Sequence, residues 1–136
     1  MADNHDGTRS INRTVALAFG AIYTLVGLAG FLVSENFISK TDNDLLGFQV
    51  NNLHNVVHLL IGVALIAASK RHDTARSANL AIGATYLLLG VFGPLINGSA
   101  LDIIALNGAD NGLHLASGLL LVAVAVLADK NARSRV

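Results

Sequence analysis

The sequence predicts an all-α integral membrane protein, a four-helix bundle built from two parallel helical-hairpin repeats with both termini cytoplasmic. Three observations carry that expectation. Hydrophobic residues make up 53% of the 136 positions and charged residues only 13%, about half the charge of a soluble domain. The charges gather in short stretches that separate four apolar segments. The second pair of segments, finally, repeats the first.

Residues 1–13 read as an N-terminal cytoplasmic tail. The first hairpin spans 14–69, with membrane helices expected at about 14–33 and 53–69. The run "TVALAFGAIYTLVGLAGFLV" (Thr14–Val33) holds no charge and has the length of a helix that crosses the hydrocarbon core, roughly 20 residues. It exceeds a typical signal-peptide core, and "VSENFIS" after it lacks a small-x-small cleavage pattern, so it reads as an uncleaved span. The segment from about Leu53 to Ser69 is shorter, with His54 and His58 at its start. The second hairpin spans 77–128, with helices expected at about 77–96 and 111–128, and 129–136 form a second cytoplasmic tail. A soluble bundle needs a polar face on each helix, and the first and third segments have none.

Orientation follows from Lys and Arg. Arg9, Arg13, Lys70, Arg71, Arg76, Lys130, Arg133 and Arg135 fall on one side of the four segments and only Lys40 on the other. The positive-inside rule assigns the crowded side to the cytoplasm, so the chain is a multi-pass protein with its N- and C-termini inside. The connections near 34–52 and 97–110 then face outward. His5 and His72 lie in charged inner stretches and read as solvated. Net charge is zero, which excludes an overall basic field for nucleic acid. The absence of Cys excludes disulfides, thiolate metal sites and covalent haem attachment.

The repeat aligns "FGAIYTLVGLAGF" (Phe19–Phe31) with "IGATYLLLGVFGP" (Ile82–Pro94). Gly20 pairs with Gly83, Tyr23 with Tyr86, Gly27 with Gly90. Further on, Asn51 pairs with Asn107, Asn55 with Asn111, His58 with His114 and Gly62 with Gly118. Each repeat is a helix pair, so both enter the membrane in the same sense, related by a pseudo-two-fold axis along its normal. Small residues let helices approach in lipid, and Gly20, Gly27, Gly62, Gly83, Gly90 and Gly118 are expected at packing seams. The mid-helix hydroxyls of Tyr23 and Tyr86 need partners inside the bundle. The outer stretches "LLGFQV" (Leu45–Val50) and "LDIIAL" (Leu101–Leu106) are expected to cover the bundle mouth, with Gly98 and Gly108 in turns.

His54 and His58 share one helix face, and the repeat brings His114 to the same depth. Asp110 occupies the position equivalent to His54. The expected cluster is therefore His54, His58, Asp110 and His114, ringed by Asn51, Asn55, Asn107 and Asn111. Three readings stand side by side. The asparagines cap the helix starts and the histidines hydrogen-bond to them or to the opposite repeat. Alternatively, three imidazoles and a carboxylate hold a divalent metal, or His58 and His114 are the axial ligands of haem b, with Gly62 and Gly118 leaving room for the macrocycle. The third is a ligand- or proton-handling pocket open to the outside. Serine nucleophile elbows and Walker-type phosphate loops are missing, so no catalytic residue is assigned.

The combination of "NNLHNVVHLLIGV" (Asn51–Val63) and "LNGADNGLHLASGL" (Leu106–Leu119) with "GAIYTLVG" and "GATYLLLG" resembles a family of small bacterial four-helix membrane proteins known as domain of unknown function 4383. The resemblance implies a bacterial cytoplasmic membrane and brings no activity. The expectation is a non-enzymatic membrane component, structural or accessory, whose partners are the lipid bilayer and either other membrane subunits or further copies of itself. The runner-up is a haem- or metal-binding membrane protein.

Overall fold

A computed structural model describes residues 10–38 and 44–129. Among them are four helices: α1 (Ile11–Gly30), α2 (Asn52–Ala68), α3 (His72–Ile96) and α4 (Gly108–Leu127). The expectations for both tails and for His5 and Lys40 lie partly or wholly outside these residues. α1, α3 and α4 are long and apolar enough to cross a membrane. α2 has 17 residues and spans about 26 Å at 1.5 Å per residue.

Helix boundaries are set by local chemistry that hydropathy does not register. α1 begins three residues ahead of the expected Thr14, behind Ser10 as N-cap, and ends at Gly30 rather than Val33. α2 starts behind Asn51, whose side chain accepts from the His54 N–H at 2.9 Å. α3 starts at His72, five residues before the expected Ser77, because the charged stretch after the inner turn is itself helical. Pro94 lies in its last turn, where a ring that cannot continue the bonding ladder costs least before the helix stops. α4 opens with a reciprocal box in which Asn107 accepts from the Asp110 N–H and Asp110 from the Asn107 N–H. Gly108, expected in a turn, is its first residue.

α1 packs most closely on α2 and α3 on α4, with α1 against α3 joining the pairs. A Cβ on Gly20 would stand 2.9 Å from the Gly62 carbonyl, and one on Gly118 2.9 Å from the Gly83 carbonyl, so these helices meet backbone to backbone. Gly27 closes on the Asn55 carbonyl and Gly90 on Leu115. Gly30 and Gly93 leave room for the side chains of Asn55 and Asn111. The buried stripe of α1 (Asn12, Ala16, Gly20, Tyr23, Gly27, Gly30) has its counterpart in α3 at Ala75, Asn79, Gly83, Tyr86, Gly90 and Gly93. Ala16, Tyr23, Leu65, Ala75, Tyr86 and Leu121 form the core. Leu25, Leu60, Leu88 and Leu119 stand exposed on the outside, one from each helix. An apolar exterior of this extent is suited to lipid contact and, with three helices long enough to cross a membrane, is consistent with a membrane protein.

At the end of the bundle expected to face outward, Asp44–Leu45 and Phe48–Gln49 pair as a minimal antiparallel hairpin. Its turn residues Leu46 and Gly47 both have positive φ, 57° and 91°, as the type I′ hairpin turn requires. The side chain of Asn107 donates to the Gly47 carbonyl at 2.9 Å, and that of Asn51 to the Ile103 carbonyl at 2.8 Å. Each half's helix cap thus holds the other half's loop. The second loop winds around buried Asp102, which accepts from the Gly98 and Leu106 N–H groups.

The opposite end, expected to face inward, holds a polar knot. Asp129 accepts from the Ser10 hydroxyl, the Ile11 and Asn12 N–H groups and the Asn12 side chain. The Asn79 side chain donates to both oxygens of Asn12. Burial alone would raise the Asp129 pKa, but these donors, the Ser10 hydroxyl and Asn12 foremost, hold it down at about 2. His72, expected to be solvated, is half-buried instead, its Nδ1 2.7 Å from the Ser10 hydroxyl and 3.5 Å from Asp129. Arg13 donates its Nε–H to the Ser69 carbonyl and Arg76 to that of Ala125, closing carbonyls that the C-termini of α2 and α4 leave free.

Candidate functional site

His54 is the third residue of α2, placed there by the Asn51 cap, and His58 lies one turn deeper on the same face. His114 lies in α4, one turn beyond Asp110. The three imidazoles converge under the outer loops, 1%, 6% and 3% exposed respectively. A nitrogen from each lies within 4.8 Å of the others. The rings of His54 and His58 meet edge to face at 4.5 Å between centroids, and those of His54 and His114 are 6.2 Å apart.

Beneath them sit the tyrosines. Tyr23 lies 5.5 Å from His58 and Tyr86 stacks at 4.9 Å on His114, while the phenol rings meet edge-on at 5.4 Å. The aromatic stack therefore runs through the bundle axis from one half to the other. Several of its polar atoms make no hydrogen bond of good geometry: both nitrogens of His54, Nδ1 of His58 and of His114, and the hydroxyls of Tyr23 and Tyr86; the two hydroxyls face each other and Ser117, and His54 faces the backbone of Gln49 and Ile104. Buried polar groups in native folds are nearly always paired. A concentration of unpaired donors and acceptors in one chamber points to something that completes them.

The other expected members of the cluster take different roles. Asp110 is buried beside His58 and His114 in the lining of a small cavity, but its carboxylate is engaged by the Asn107 N–H. Asn51 and Asn107 cap helices and tether loops. Asn55 packs on Gly30 and its side chain donates to Ser34, while Asn111 packs on Gly93. Among the described residues no asparagine side chain hydrogen-bonds a histidine ring. Asp102, Asn12 and Asn79 are also buried, with no motif or spacing in the sequence to mark them, and Arg13 and Arg76 bond helix-end carbonyls beyond their part in the charge asymmetry.

The chemistry of the donor set suits a metal ion. Imidazole is a good ligand for zinc, copper, iron and nickel, and zinc–imidazole bonds are about 2.0–2.1 Å long. With the three nitrogens within 4.8 Å of one another, an ion between them would draw the rings together. Haem b does not fit. The space a macrocycle would need between His58 and His114 is filled by His54, Tyr23 and Tyr86. Gly62 and Gly118, expected to make that room, face α1 and α3 instead, where a Cβ would strike Thr24 or Leu87.

The family model described as "Domain of unknown function (DUF4383)" matches residues 13–127. The chain belongs to the DUF4383 family. That match takes in all three histidines, both tyrosines and every glycine of the helix seams. Comparison with curated proteins and with solved structures found no match. What this DUF4383 chain does must therefore be argued from its own chamber.

Proposed function

We infer that this DUF4383 protein is a non-enzymatic, multi-pass accessory component of the bacterial cytoplasmic membrane that holds one divalent transition-metal ion in its outer chamber. His54, His58 and His114 are the ligands. The observation that carries this reading is the convergence of three buried imidazoles with unpartnered ring nitrogens within 4.8 Å. Three neutral ligands alone would leave a doubly charged ion uncompensated, and buried charge is costly unless paired. Asp102 and Asp110, both buried at the same end of the bundle, supply the opposite charge from just outside the ligand set.

The bundle is a pair of parallel repeats with both termini inside. Matched contacts support the repeats: Gly20 with Gly62 and Gly83 with Gly118, Tyr23 with His58 and Tyr86 with His114, Arg13 with Ser69 and Arg76 with Ala125; the distribution of Lys and Arg along the sequence supports the inward termini.

The test is metal analysis of protein purified in detergent, followed by cobalt substitution. One equivalent of metal per chain is expected, with d–d absorption of a nitrogen-ligated cobalt ion that disappears in His58→Ala and His114→Ala. Substoichiometric metal that no added zinc, copper or cobalt raises would sink the reading. Reporter fusions at both termini check the topology.

A further inference from the structure

A pocket of about 130 Å³ lies where the start of α1 meets the end of α2, lined by Arg13, Thr14, Leu17, Ser69 and Lys70. It compares with a cavity of roughly 150 Å³ that takes benzene, so it admits one chemical group rather than a whole lipid. Local bonding decides what the pocket offers that group. The Thr14 hydroxyl donates to the Ser10 carbonyl and the Ser69 hydroxyl to that of Ile66, so both hydroxyl hydrogens are used within the protein. Arg13 gives its Nε–H to the Ser69 carbonyl at 2.8 Å, which fixes the guanidinium at the pocket wall. Asp129 is taken up by Ser10, Ile11 and Asn12. Among the described residues the sole ion pair is that of His72 with Asp129. Arg13 and Lys70 therefore line the pocket without a carboxylate partner, and the groups left to meet a ligand are two cations.

Position narrows the ligand further. Arg13 lies in the first turn of α1, and Lys70 directly follows the Ser69 C-cap of α2. Leu17 is one turn further along α1 on the face of Arg13, and it is 42% exposed. The pocket thus has positive charge at one edge and apolar surface at the other, as at the boundary between headgroups and hydrocarbon. A phosphate dissolved in water would be met by the charge and not by Leu17. A choline or ammonium group would find two like charges and no carboxylate to receive it. The ligand that matches both edges is a phosphate with no cation of its own and with an acyl tail. Basic pockets between membrane helices suit such headgroups.

The second repeat builds only half of this arrangement. Arg76 makes the corresponding bond to the Ala125 carbonyl. Aligned on Asn55 and Asn111, however, the position of Lys70 is held there by Val126, so one cation stands in place of two. A single site per chain follows. We propose that the α1–α2 pocket binds the phosphate of one anionic phospholipid between Arg13 and Lys70, its acyl chains lying down the bundle over Leu17. The pocket is at the opposite end of the bundle from the histidine chamber and stands independently of any ion held there.

Native mass spectrometry of the full chain, titrated with phosphatidylglycerol in a neutral detergent, reads the site. One phosphatidylglycerol per chain should saturate first, with phosphatidylcholine of the same acyl chains held about five-fold more weakly. Lys70→Ala should raise the half-saturation concentration about five-fold, the effect of one basic residue near an anionic headgroup, and Lys70→Arg should restore it. Arg71→Ala removes the same charge from the neighbouring residue, which does not line the pocket, and should leave binding unchanged. Arg13 is kept intact in this series because its bond to Ser69 also joins α1 to α2. Equal weakening by Lys70→Ala and Arg71→Ala, in variants that melt like the native protein, would reduce the binding to diffuse charge attraction and overturn the proposal. Phosphatidylcholine bound as tightly as phosphatidylglycerol overturns it too, as does displacement of the lipid by millimolar inorganic phosphate.

Discussion

Arg76 donates its Nε–H to the Ala125 carbonyl at 2.7 Å, bridging the start of α3 to the end of α4. Arg13 makes the same bridge from α1 to Ser69 at the end of α2, at 2.8 Å. Cations near a helix C-terminus are favoured by the dipole as well as by the bond itself. These arginines therefore fasten the inner end of each hairpin. Arg76→Ala should cost about 1–2 kcal/mol, seen as a lower midpoint of thermal unfolding in detergent. Arg71→Ala, at the exposed N-cap position of the same helix, where the side chain makes no cap bond, should leave that midpoint in place.

The glycine seams make a paired prediction. A Cβ on Gly62 would meet the Thr24 N–H at 2.6 Å and the Gly20 carbonyl at 2.8 Å. Gly62→Ala must push α1 and α2 apart, at a cost of roughly 1–3 kcal/mol. Gly112, in α4, has open space where its Cβ would go. Gly112→Ala should stabilise by up to about 1 kcal/mol from helix propensity alone. Equal effects of the two substitutions on the melting midpoint would contradict the seam.

Asp129 sets an acid limit. Its folded pKa of about 2 lies below the ordinary value near 3.9. A carboxylate whose pKa is depressed by folding adds stability that is fully present above the unfolded value and is lost as pH falls through the folded one. Unfolding free energy should therefore decline between about pH 4 and about pH 2. Asp129→Asn should lower stability at neutral pH and flatten that decline, as acid titrations followed by circular dichroism would show.

Asn107 carries two roles that substitution can separate. Asn107→Ser keeps an oxygen to cap α4 but is too short to reach the Gly47 carbonyl. The melting midpoint should stay within a degree or two, while amide exchange at Leu45–Val50 speeds up. Asn107→Ala should lose both, with a further cost of about 1 kcal/mol.

Much of this fold is legible in the sequence, for identifiable reasons. Uninterrupted apolar runs mark the interiors of α1, α3 and α4, and the alignment of His58 with His114 brings the imidazoles to one level. Boundaries were less legible. The first turns of α1 and α3 are polar, so hydropathy assigned Asn12 to a tail and His72 to a loop, although both take part in the knot around Asp129. A hairpin with two residues in each strand has no periodicity to detect. Asp110 aligned with His54 in the sequence, yet a carboxylate three residues after an asparagine cap bonds the cap's own N–H. Gly62 and Gly118 faced the wrong way for a haem because spacing reports the depth of a residue and leaves its direction to packing.

The reciprocal tethers, Asn51 to Ile103 and Asn107 to Gly47, have a consequence for any shorter form of this chain. A single hairpin would carry an asparagine with no foreign loop to hold and a loop with no foreign asparagine to hold it. Two such hairpins meeting face to face would supply both at once. Coexpressed as separate polypeptides, the two halves should associate, each closing the other's open end through these two contacts.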